Sequence, residues 1–74
     1  MMNLLHWRLL LAVADAGNIS RAAEEIGMTQ SGASQAIAQL EASLGFPVFT
    51  RERRYIGITA LGEQVIENER NMLS

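Results

Sequence analysis

TQSGASQAIAQLEASL, from Thr29 to Leu44, reads as one helix with a divided surface. Ala33, Ile37, Leu40 and Leu44 recur at steps of four, three and four residues, so they line one side. Ser31, Ser34, Gln35, Ala38 and Gln39 lie roughly opposite, on a face that is polar, short-chained and uncharged. A solvated helix face ordinarily carries Lys and Glu. Small side chains and amides instead suit close contact with a surface that has donors and acceptors of its own, such as base-pair edges. The other reading is that Ser and Gln merely solubilise a surface helix, and this stretch alone does not separate the two.

The residues on its N-terminal side set the angle at which that helix is presented. Asn18-Ile19-Ser20 starts a short preceding helix, with Ser20 as the expected N-cap and Ile19 as a staple. Arg21 to Ile26 is barely two turns, with Ala22, Ala23 and Ile26 inward. Gly27-Met28-Thr29 then makes a tight connection in which Gly27 tolerates positive φ, Met28 packs inward and Thr29 caps the next helix. Two helices joined by so short a turn cross at a large angle, which is helix-turn-helix geometry. Upstream, a first helix is expected from Asn3 or a neighbour to about Ala16, ended by Gly17. Its face of Leu4, Trp7, Leu10, Leu11 and Ala14 is read as core. Trp7 either packs beside Leu61 or Val65 or stands exposed as a partner anchor. His6 has no second ligand near it in sequence, so no metal site is expected.

Downstream, Gly45 ends the helix. Phe46-Pro47-Val48-Phe49 reads as an edge strand, and Tyr55-Ile56-Gly57-Ile58 as its partner, with Ile56 and Ile58 on one face. A hairpin after a helix-turn-helix is a wing. Thr59 caps a last helix from Ala60 to near Ser74. Leu61, Val65 and Met72, with Ile66 and Leu73 beside them, form its apolar stripe, and Glu63, Glu67, Glu69 and Arg70 fill the other side. The expected fold is mainly α: a three-helix core plus a two-stranded wing over residues 1–59, then a linker helix over 60–74.

Composition narrows the function. Seventy-four residues make one domain near the lower size limit for a self-sufficient core, and 49 % hydrophobic residues with one proline exclude disorder. No apolar run approaches the roughly 18 residues that cross a membrane. The start, MMNLLHWRLLLAVADAG, lacks the basic segment of a signal peptide and fits an amphipathic helix better. The absence of cysteine fits a cytoplasmic protein. No phosphate-cradling loop or paired carboxylates in a pocket pattern appear, so neither an enzyme nor a cofactor is expected. The net charge of −2 argues against a polyanion partner, but its distribution does not: residues 1–50 carry −2, 51–54 carry +2 and 55–74 carry −2. Arg51, Arg53 and Arg54, opposed only by Glu52, either form a solvated loop or line a minor groove and phosphates.

The stretch AAEEIGMTQSGASQAIAQLEASLGFPVFTR resembles the LysR-type bacterial transcriptional regulators. LLAVADAGNISRAAEEIG before it and ITALGE after the basic tip are similar as well. The matching residues include Ala22-Ala23, Thr29-Gln30, Ser34, Ile37, Leu40-Glu41, Leu44-Gly45, Phe49, Arg51, Arg54, Thr59 and Gly62. The resemblance implies sequence-specific binding of double-stranded DNA by a homodimer in transcriptional regulation. It implies that the third helix enters the major groove through Thr29, Gln30, Ser31 and Ser34, with Gln35 on the same face. Ser20 and Arg21 would clamp the backbone, Arg54 would reach the minor groove, and Arg51 would lie near phosphates beside Arg53. The last helix, through Leu61, Val65 and Met72, would pair antiparallel with its twin. Relatives add an effector-binding domain that 74 residues do not contain, so a small-molecule effector is expected only if a longer chain exists. Three features depart from the family: Gln35 and Ala38 stand where relatives often place cations, and the tip at Glu52-Arg53 lacks glycine. A helix-turn-helix used for protein interaction without DNA is the alternative that the acidic balance supports.

Overall fold

The computed structural model describes residues 4–51 and 56–73. In chain order it contains α1 (Leu4–Ala16), α2 (Ile19–Ile26), α3 (Gln30–Leu44), β1 (Phe49–Arg51), β2 (Ile56–Ile58) and α4 (Ala60–Leu73). This is the expected winged helix-turn-helix followed by one more helix. The helix start expected at Asn3, the wing-tip residues Glu52, Arg53, Arg54 and Tyr55, and the terminal Ser74 lie outside the described residues.

The core is built around α1. Leu9, Leu10 and Val13 are fully buried and meet Ala22 and Ala23 of α2, Ala33, Ile37 and Leu40 of α3, and Val48 after it in one cluster. The face expected for α1 was Leu4, Trp7, Leu10, Leu11 and Ala14, and only Leu10 of that set is fully buried. Trp7, Leu11 and Ala14 are half-buried, and Leu4 is 60 % exposed. The reason is tertiary: α2, α3 and α4 all pack on α1, so the second half of that helix is covered from several sides. Among the described residues six large side chains are fully buried, each stabilising by about 1.5–3 kcal/mol. The exposed Arg70–Asp15 ion pair, which ties α4 to α1, is worth about 1 kcal/mol at most. Burial therefore sets the arrangement, and the ion pair decorates it.

The passage from α3 into the wing departs from the expected strand at Phe46–Phe49. The strand β1 begins only at Phe49 and pairs antiparallel with β2 in the register Phe49–Ile58, Thr50–Gly57 and Arg51–Ile56. Pro47 has no N–H to offer a ladder. The N–H groups of Val48 and Phe49 go instead to one carboxylate oxygen of Glu41, at 2.7 and 3.1 Å. Thr59 closes the wing from the other side. Its N–H donates to the Val48 carbonyl at 2.9 Å, its hydroxyl donates to the Pro47 carbonyl at 2.8 Å, and that hydroxyl oxygen accepts the Gly62 N–H at 2.9 Å as the cap of α4. Gly62 is buried there, and a Cβ at this position would lie 2.3 Å from the Val48 oxygen. The start of α4 can therefore approach the wing base only because residue 62 has no side chain.

One expectation about α4 is overturned. Glu63, Glu67 and Arg70 are exposed as expected, but Glu69 is only 3 % exposed. It follows Gly62 and Ile66 at steps of four and three, so it falls on the face turned toward the body of the protein.

Candidate nucleic-acid interface

The helix-turn-helix is positioned by two caps and a glycine. Asn18, not Ser20, caps α2: its backbone is extended and its side-chain oxygen accepts the Arg21 N–H at 3.0 Å. The helix therefore begins at Ile19, which is buried, and Ser20 moves into the first turn, where it is exposed beside Arg21. At the other end Gly27 takes φ +88°, a conformation costly for any residue with a Cβ. The N–H groups of Gly27 and Met28 both reach the Ala23 carbonyl at 2.8 Å, which closes the helix and turns the chain. Thr29 then caps α3, with its hydroxyl oxygen accepting the Gly32 N–H at 3.0 Å. Accepting that bond leaves the hydroxyl proton of Thr29 available to donate outward.

The divided surface of α3 is present, with two adjustments. Ala33, Ile37 and Leu40 are buried together with Ala36, and Leu44 is half-buried against the core. Gln30, Ser31, Gln35, Ala38 and Gln39 are exposed, whereas Ser34 is half-buried at the border of that face. The first turns of α2 and α3 contain no acidic residue, so the positive ends of both helix dipoles are left uncancelled. Ser20 and Arg21 stand at one of these ends, and Thr29, Gln30 and Ser31 at the other. Arg51 is exposed at the far end of β1. Arg53 and Arg54 belong to the tip outside the described residues.

Chemically, these are two helix N-termini suited to anions and one uncharged face carrying amides and hydroxyls that can both donate and accept. Asn18 and Glu41 are the positioning residues that sequence reasoning missed. The signal for Asn18 was present, because Asn is as good a cap as Ser and stands three residues before Arg21. For Glu41 there was none, because its partners lie on a segment read as strand.

The comparisons agree with this geometry. The family model described as "Bacterial regulatory helix-turn-helix protein, lysR family" matches residues 4–63. The HTH-type transcriptional regulator IlvR of Caulobacter vibrioides is 44 % identical over 63 residues, 85 % of this chain and 21 % of that protein. Among solved structures, the CbnR DNA-binding domain in complex with DNA is similar with a TM-score of 0.91 and 33 % identity, covering 97 % of this chain and 83 % of that one. The BenM DNA-binding domain on benA site 1 DNA is similar at a TM-score of 0.92 and 28 % identity, covering 97 % and 81 %. The chain spans about a fifth of the length of the curated relatives it matches.

Proposed function

Because this chain belongs to the lysR family of bacterial regulatory helix-turn-helix proteins, we propose that it binds double-stranded DNA of defined sequence, as a homodimer, in the regulation of transcription in the cytoplasm. The observation that carries the reading is the exposed face of α3, uncharged from Gln30 to Gln39, at the end of a tightly capped turn. A face of this kind gains little from water alone, yet it matches the donors and acceptors in the major groove. There Gln30 and Gln35 can pair with adenine, and Ser31 can reach either base edges or phosphate. Thr29 donates its free hydroxyl proton to a phosphate, and the half-buried Ser34 contacts only what comes close. Ser20 and Arg21 hold the backbone from the N-terminus of α2.

The same face lacks cations, so the charge that holds DNA comes from Arg21, Arg51, Arg53 and Arg54. With few phosphate contacts, the affinity falls gently with salt, by about 0.9 in log–log slope for each contact made. In this reading residues 1–59 are the DNA-binding unit and 60–74 the helix that pairs two copies. Leu61 and Met72 support the pairing, because they are 52 % and 74 % exposed and share a stripe with half-buried Val65. No helix among the described residues is long and apolar enough to cross a membrane.

Selection of bound duplexes from a random pool tests the proposal. Enrichment of a motif with two symmetric halves supports it, and recovery of unenriched sequence at every round overturns it.

A further inference from the structure

A groove of about 220 Å³ lies between α1, the end of α3 and α4, lined by Trp7, Leu44, Val65, Asn68, Glu69 and Met72. Its walls are mostly apolar, yet it contains Glu69, 3 % exposed, with neither carboxylate oxygen hydrogen-bonded. A buried ionised carboxylate without partners is costly, so such a group either gains a donor or takes up a proton. Val65, Asn68 and Met72 belong to the same stripe as Leu61, so the groove is continuous with the exposed face of α4.

Resting on the homodimer proposed above, we infer that the second copy closes over this groove and that Glu69 enters the dimer in its protonated form, making dimerisation proton-linked. The two-fold symmetry of such a pair puts the two carboxyls on one side of the seam. In an antiparallel pair of helices the two-fold axis runs across the seam, so a residue on one flank of the stripe lies on the same flank in both copies. Glu69 is on the flank that also bears Gly62 and Ile66, one residue past Asn68. Closing the seam lays apolar side chains of the second copy over a groove whose carboxyl oxygens already lack a partner, and the lower dielectric around them favours the neutral form further.

The surroundings offer little to oppose this. On α4 Arg70 draws the Glu69 carboxyl toward ionisation, but its guanidinium is paired with Asp15 of α1. The first turns of α1 contribute Trp7, which His6 and Arg8 flank in sequence, and the end of α3 contributes the apolar Leu44. Burial outweighs Arg70 and pushes Glu69 up to about 7 in the single chain. Association raises it further, so the dimer binds more protons than two free chains. Dimerisation is therefore strongest below about pH 7 and weakens as pH rises through the interval between the two values.

Sedimentation equilibrium of the whole chain from pH 6 to 8.5 at constant ionic strength tests the inference. The expected result is a dimer dissociation constant that increases tenfold or more, to order of magnitude, across this range. Glu69→Gln should dimerise as tightly as the wild type at pH 6 and show no pH dependence, and His6→Gln should keep the wild-type dependence. Should Glu69→Gln fail to fold by circular dichroism, the wild type answers by itself: the NMR titration midpoint of the Glu69 carboxyl should rise with protein concentration. A pH-independent dimer, a midpoint that does not move on association, or a pH dependence that survives in Glu69→Gln overturns the inference and leaves the dimer standing. A monomer at every pH overturns the dimer reading and this inference together.

Discussion

The Glu41 carboxylate accepts the backbone N–H of Val48 at 2.7 Å. Through the same oxygen it takes the Phe49 N–H at 3.1 Å, so the last turn of α3 holds the chain where it enters β1. Hydrogen bonds to a charged acceptor are each worth about 1.5–3 kcal/mol, and an orphaned N–H carries its own penalty. Glu41→Ala is expected to destabilise the protein by about 2–3 kcal/mol in urea unfolding. Glu41→Gln should lose less, because its amide oxygen still accepts. Hydrogen exchange at Val48 and Phe49 should speed up in Glu41→Ala while that of Ile37 and Leu40 changes only with global stability. Equal protection of all four amides in the variant would remove the anchoring role.

Gly62 gives a case in which steric fit and helix propensity oppose each other. Alanine in a helix is better than glycine by about 1 kcal/mol. Against that gain, the new Cβ would sit 2.3 Å from the Val48 oxygen, so backbone must move. Overpacking of that kind costs about 1–3 kcal/mol, so Gly62→Ala is expected to lower the melting temperature. A raised melting temperature would show that the wing base yields easily.

For the proposed reading of bases, Gln30→Ala is the discriminating change. It should relax sequence preference by about 1–3 kcal/mol at one base pair while leaving binding to random duplex nearly unchanged. Competition between selected and random duplexes, measured by fluorescence anisotropy, separates the two. A uniform loss on all sequences would place Gln30 at the phosphate backbone.

The arginines make a separate claim, about charge. Replacing Arg51, Arg53 and Arg54 by alanine should abolish duplex binding at physiological salt with the circular dichroism spectrum intact. Single replacements should each reduce the salt slope by about 0.9. Unchanged binding by the triple variant would end the role proposed for the wing.

The proposed dimer face is checked by Val65→Asp combined with Met72→Asp. Met72 is exposed and Val65 half-buried on the same stripe of α4. Two added charges per chain in an apolar seam should yield a monomer in sedimentation velocity runs. A dimer that persists would move the interface to another surface.

Much of this architecture is written locally in the chain, and the parts that are not share one cause. The helix ends at Gly17, Gly27 and Gly45, the caps at Thr29 and Thr59, and the split face of α3 are all legible, because each depends on residues within a turn or two of one another. The candidate face from Gln30 to Gln39 was legible for the same reason: a helix with one buried side leaves the opposite side out. Ser20 was misplaced by the width of a cap, since Asn18 competes for the same role. Glu41, Gly62 and Glu69 were beyond local reading. Their meaning lies in the Val48 and Phe49 N–H groups, the Val48 oxygen and the groove beside Trp7, all brought close only by folding.

Periodicity and turn chemistry thus decided, from the chain alone, that there would be a helix-turn-helix and which face of α3 would be free. Only the tertiary packing decided that α1 is covered on several sides, that the wing hangs from α3 and α4, and that a carboxylate on α4 faces inward. The physical reason is that a short-range pattern reports which side of a helix is apolar, whereas burial depends on what the rest of the chain places against it. Glu69 is polar by composition and buried by position, and position prevailed.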